Sequence, residues 1–242
     1  MEYTDCFHLI IPGFGVPYQQ EKRTFLIHNL AIIRTTLPVT TLLKVYVFNY
    51  SFDSVSLDLP ALPVGIEITE VKEKGIVGQF IFRHMHPSKI RPEDTLMILL
   101  DDVTLHPEMN MSEFLSGLET YDIISPSLSH DSALSHGFML QQVENAHKLA
   151  QECNFIELFS YTMKGTTFEK YYNLFDKNTA WCWGIDLCLH VQGFRLALCH
   201  KWPMKHYFKG ISYGNGGPCP WYEMNQNIAR YGRVYCMKNI DH

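Results

Sequence analysis

The stretch TLMILLDDVTLHP, Thr95 to Pro107, decides how this chain is read. Five apolar residues, Leu96 to Leu100, run unbroken into Asp101 and Asp102, and a loop then closes on Pro107. An apolar run of that length, bounded by polar and turn residues, predicts a strand buried on both faces, as in the middle of a parallel sheet. The two carboxylates then sit at its C-terminal end, where open α/β sheets bind their ligands. Paired acids there suit a divalent cation carrying a diphosphate, because a hard cation takes oxygen ligands and shares them with phosphate. From the pair alone a plainer reading stays open, in which the acids end a strand and cap the next turn.

Working outward, Phe7 to Ile11 predicts a first buried strand that turns at Pro12-Gly13-Phe14-Gly15. The glycines resemble the start of a dinucleotide fingerprint, but Tyr18 occupies the third glycine position, so a dehydrogenase loop is not formed. Phe25, Leu26, Leu30, Ile33 and Leu37 recur at helical spacing from Gln19 to about Thr36, and Pro38 ends that helix. Leu42 to Tyr50 and Ile66 to Val71 read as strands, and Gly75 to Met85 as an apolar helix stopping at His86-Pro87. The alternation of strands and helices predicts a Rossmann-like, mostly parallel α/β sheet flanked by helices.

Beyond the acids the signals weaken. Met111 to Glu119 reads as a short helix with Ser112 a candidate cap. Ile123 and Ile124 read as a strand broken at Pro126, and His130 to Gly137 as a polar loop. Gln141 to Cys153 reads as a short helix or exposed loop, and Phe155 to Tyr161 as a strand with Glu157 inside it. A helix over Thr166 to Phe175 leads to Trp181-Cys182-Trp183-Gly184-Ile185-Asp186, and Phe194 to Cys199 is a last strand. The Gly- and aromatic-rich tail from Gly210 reads as a loop over a ligand, followed by a final helix.

Composition narrows the function. Charged residues at 19% and hydrophobic ones at 46% describe a globular chain with a large core, and a net charge of −5 argues against nucleic acid as a partner. No segment reaches the roughly 18 uninterrupted apolar residues of a transmembrane helix. The acidic N-terminus lacks the basic region of a signal peptide, so a cytoplasmic protein is expected. Seven cysteines without a CxxC pair point to reduced thiols rather than a disulfide framework or a structural zinc site. The scattered histidines lack the HExxH spacing of a helical hydrolytic zinc site.

Several of these segments, in order, resemble a family of plant and bacterial proteins grouped as a domain of unknown function and regarded as glycosyltransferase-like. The likeness covers roughly residues 72 to 210. It rests on His86-Pro87, the acids Asp101-Asp102, Ile124-Ser125-Pro126, Phe155-Ile156-Glu157, Phe168 with Trp183-Gly184-Ile185-Asp186, and a late histidine, His206. The acidic cluster is one carboxylate short of that family's pattern, with Val103 or Leu100 at the vacant position according to register, and the family's Trp pair before His86-Pro87 is absent.

The resemblance implies a single GT-A-like domain over residues 1–242. Residues 1–105 would be its nucleotide-binding half and 106–242 its acceptor side. It implies a glycosyltransferase using a nucleotide-sugar donor, a glycan or other hydroxyl acceptor, and Mn2+ or Mg2+. Asp102 is the expected metal ligand, with His206 completing the set and Asp101 serving the metal, its water shell or the ribose. Lys205 or Lys209 would neutralise the leaving diphosphate. Asp186 is the expected base of an inverting transfer with Glu157 in reserve, and Trp181, Trp183 and Gly184 form the sugar wall. The competing reading is a non-catalytic nucleotide-sugar or carbohydrate-binding module on the same scaffold.

Overall fold

The computed structural model describes residues 3–15, 18–50, 57, 59, 63–133, 136–208 and 219–240. In its first half β1 (Asp5–Phe14), α1 (Gln19–Thr36), β2 (Thr41–Asn49), β3 (Ile66–Lys72), α2 (Val77–His84) and β4 (Thr95–Leu99) follow one another. The second half holds β5 (Val103–Thr104), α3 (Met111–Leu115), β6 (Ile123–Leu128), β7 (Gln151–Cys153), β8 (Ser160–Lys164), α4 (Gly165–Tyr172), α5 (Ile185–Cys188), β9 (Leu196–His206) and α6 (Pro220–Tyr231).

The strands form one nine-stranded sheet in the order β3-β2-β1-β4-β8-β6-β9-β5, with β7 also on β9. Strands β1 to β4 pair in parallel, as expected. The sheet then turns mixed, because β8 runs antiparallel to both β4 and β6. Leu96, Met97, Ile98 and Leu99 are all 0% exposed, so β4 is buried on both faces. The chain steps from β1 outward to β2 and β3, then returns to the other side of β1 as β4. That reversal opens a crevice beyond the carboxyl ends of β1 and β4. Asp101 and Asp102 leave β4 into it.

Six expectations are corrected. β1 continues through Pro12 and Gly13 to Phe14, with its register against β2 shifting between Ile11 and Phe14. A proline without an N–H fits inside a strand at such an irregularity. β6 likewise runs through Pro126, where it has already left β8 and its register against β9 shifts. Gln151–Cys153 is a strand on β9, and the strand expected over Phe155 to Tyr161 starts only at Ser160, which leaves Glu157 in a loop. Helix α3 is capped by Asn110, whose side chain accepts from Glu113 N at 3.1 Å, while Ser112 donates to Thr36 O. β9 extends to His206, well past Cys199.

Candidate active site

The segment after β4 is fixed from two sides. Asn29, 2% exposed on α1, donates to Val103 O and accepts from Leu105 N, both at 2.8 Å. On the other side β5 pairs with the end of β9, Val103 opposite His206, and Tyr207 N donates to Asp102 O at 3.0 Å. Val103 is 0% exposed, so this neighbour of the two acids belongs to the core.

The two neighbouring acids take different partners. Asp101 Oδ2 pairs with Lys22 Nζ of α1 at 2.7 Å, and Lys22 also reaches Tyr50 Oη at 3.5 Å. Burial raises the Asp101 carboxyl above its usual range and Asp102 beside it adds to this, against the pull of Lys22. Asp102 Oδ2 instead meets His206 Nε2 at 3.1 Å. Its Oδ1 is buried and has no hydrogen-bond partner among the described residues.

His206 is held to suit. Its Nδ1–H donates to Ala133 O at 2.7 Å, and Phe159 packs on the ring at 4.5 Å. With Nδ1–H committed to a carbonyl, Nε2 donates to Asp102 when the ring is protonated, and the neutral ring would offer its Nε2 lone pair to an ion held between the two side chains. Burial opposes charge on the ring, yet the hydrogen bond and charge of Asp102 raise its pKa.

The second centre is built around Asp186. The loop before it is anchored by Glu223 of α6, a residue only 4% exposed. Both its oxygens accept backbone N–H bonds from Ala180, Trp181 and Cys182, at 2.8 to 3.1 Å. Asn227 adds a bond to Trp183 O at 2.8 Å. Cys182 and Gly184 both have positive φ, 64° and 83°. At Gly184 a Cβ would come within 3.0 Å of the Met224 backbone, so glycine lets the turn press against α6.

Asp186 then enters the single turn of α5, and its Oδ1 accepts from Leu187 N at 2.9 Å. Burial, with Glu157 adding to it, raises its pKa to about 7. Glu157 accepts from His136 Nδ1 at 3.1 Å, and that bond raises the histidine's pKa. The Glu157 charge also acts on His206, so it links the two centres electrostatically.

Trp183 meets Trp221 edge-to-face at 5.1 Å, and Trp221 is 57% exposed. Lys205 is not brought to the acids. It pairs with Asp131, and strand alternation turns it away from His206 into a cavity of about 400 Å³ shared with Phe25, His28, His106 and Tyr207. Lys209 and the tail from Gly210 to Pro218 lie outside the described residues.

Sequence reading missed Lys22, Asn29, His136 and Glu223. Each meets its partner from at least 21 positions away. Lys22 left one usable trace, a charge on the apolar-spaced first helix.

No family model matches the chain, and no curated protein matches it by sequence. A solved structure of GalNAc-T7 with UDP, GalNAc and Mn2+ superposes with a TM-score of 0.62 over 94% of this chain. The fold is GT-A-like. Sequence identity to that protein is 11%, and the match covers 48% of its chain, so this chain spans about half its length. No helix among the described residues is long and apolar enough to cross a membrane.

Proposed function

We propose that this GT-A-like chain transfers a sugar from a nucleotide-sugar donor to a hydroxyl of a glycan or another acceptor, with inversion. The observation that carries the reading is the buried, unpartnered oxygen of Asp102 beside a histidine whose other nitrogen is already committed. Buried polar atoms are normally satisfied, so an orphan there fits a ligand position. The carboxylate–imidazole pair fits Mn2+ or Mg2+, with Asp101, held by Lys22, serving the ion's water shell or the ribose. A bound ion would supply Lewis-acid stabilisation of the departing diphosphate.

Asp186 is the base. The acceptor O–H proton passes to its carboxylate while the oxygen bonds the anomeric carbon, and the bond to the diphosphate breaks with its electron pair leaving on phosphate. A base poised near 7 suits that task at neutral pH. Trp183, Gly184 and Trp181 form the sugar-facing wall beside it, and Glu157 with His136 sets its charge environment. Residues 1–105 serve the nucleotide and 106–242 the acceptor. Lys22 replaces Lys205 as the cation nearest the acids. The UDP and Mn2+ in the GalNAc-T7 structure make uridine sugars the first donors to try.

A second reading, donor binding without transfer, is favoured by Val103 in the place of a third acid. Thermal shift against nucleoside diphosphates and their sugars, with and without Mn2+, tests both. Binding at a hundred times Kd stabilises by about 2.7 kcal/mol. A metal-dependent shift lost in Asp102→Ala supports the site. Turnover lost in Asp186→Asn with the shift kept supports the enzyme over the binder. No shift with any donor ends both readings.

A further inference from the structure

The opposite ends of the same strands hold a second cluster. Cys6 and His8 are alternate residues of β1, so their side chains share one face of the sheet. The register Phe7 to Thr95 sets Asp94, just ahead of β4, across from Cys6. One donor atom from each of the three lies within 4.8 Å of the other two. All are buried, at 9%, 1% and 4% exposure for Cys6, His8 and Asp94. Six residues of nearly extended chain separate Asp94 from Asp101, roughly 20 Å, so this cluster is not part of the donor crevice.

The carboxylate of the cluster has its outer partner in place. Arg91 grips the Asp94 carboxylate with its backbone N–H at 3.1 Å and its guanidinium, Nη2 reaching Oδ1 at 2.6 Å and Nε reaching both oxygens at 3.1 and 3.3 Å. Ligating carboxylates are typically held this way from behind. On the inner side one contact closes the cluster, His8 Nε2 to Asp94 Oδ2 at 3.2 Å. The other ring nitrogen of His8, Nδ1, is buried and unpartnered among the described residues. Tyr46 stacks parallel to the ring at 6.0 Å and fixes its plane.

We propose that Cys6, His8 and Asp94 form a zinc site. Thiolate, imidazole and carboxylate are the ligand types zinc takes, and three protein ligands leave the fourth tetrahedral position to water. Zinc takes cysteine as the thiolate and histidine as the neutral imidazole, so binding releases the Cys6 proton to solvent, and the His8–Asp94 hydrogen bond gives way to bonds to the ion.

The test uses Co2+ as a spectroscopic stand-in on the full chain after chelator treatment. A sulfur-to-cobalt charge-transfer absorption, saturating at one ion per chain and displaced by Zn2+, is the expected result. It should vanish in Cys6→Ser, persist in Asp102→Ala, and need 10- to 100-fold more metal in Arg91→Gln. Absence of the band in the wild-type chain overturns the proposal without reference to any variant. So does a band that survives Cys6→Ser, which would assign the sulfur to another cysteine such as the exposed Cys219 or Cys236. Because Asp102→Ala removes the donor-side ion only, failure here and failure of the transferase reading are separate outcomes.

Discussion

Asp102 and Asp186 are both carboxylates at the edge of short elements, and Glu157 acts on the surroundings of both, yet the proposed transfer asks opposite work of them. Asp102 faces an imidazole held for it and keeps one oxygen open, beside an Asp101 already matched to Lys22. Among the described residues Asp186 has no cation bonded to it, and it feels Glu157 more than it feels His136. A buried site near a like charge favours the protonated acid, which leaves Asp186 ready to exchange a proton near neutral pH. The same side chain thus offers an open oxygen in one place and a titrating carboxyl in the other.

The sharpest way to break this contrast is Asp186→Asn. Turnover should fall by about 10²- to 10⁴-fold, the usual worth of a general base, with donor binding kept. Donor-dependent thermal shift measured beside a product assay would show the two parting; their joint loss would erase the contrast. Asp102→Ala should do the reverse and abolish the metal-dependent shift of about 2.7 kcal/mol at a hundredfold Kd.

Next in size is Glu223→Ala, which strands three loop N–H groups and should cost about 3 kcal/mol, a drop of roughly 6–12 °C in Tm. Glu223→Gln, with one acceptor oxygen left, should lose less. Asp186 also predicts a pH effect on stability. Its folded pKa of about 7 lies above the ordinary aspartate value of 3.8, so between those values the native state binds more protons than the unfolded chain. Its contribution is therefore full below pH 4 and lost as pH rises through about 7. Asp186→Asn should remove that slope in urea titrations across pH 4 to 8, and activity should rise through the same upper value. The smallest effect belongs to Lys205→Ala. Facing away from His206, it should shift stability by less than about 0.5 kcal/mol and leave donor binding unaltered.

How far the chain could be read without coordinates follows from how local each signal is. Leu96 to Leu100 announces β4 because a doubly buried strand needs an unbroken apolar run, and α1 announces itself by spacing alone. The region from Tyr121 to Cys199 misleads because its strands are set by partners. Pro126 sits in a strand that has left one neighbour, and β7 is three residues long and is set by β9 and by the distant segment 238–240. Glu157 lies in a loop although its apolar neighbours look like strand. In the proposed site, Asp101, Asp102, Asp186 and His206 could be named from residue identity and order alone. Lys22 and Glu223 do not, since what makes them matter is a contact closed by folding across 79 and 41 positions respectively.

The position of β4 also sets a timetable for synthesis. β1 to β4 can pair as soon as they leave the ribosome, but the next neighbour of β4 is β8, whose first residue is Ser160. At 5–20 residues per second, the 60 residues between Leu99 and Ser160 take roughly 3–12 s to make. Throughout that interval the most apolar strand of the sheet presents a bare edge, the geometry on which nascent chains pair with one another. Slowing translation between codons 100 and 160 should therefore lower the soluble yield of a protein whose finished fold is unchanged.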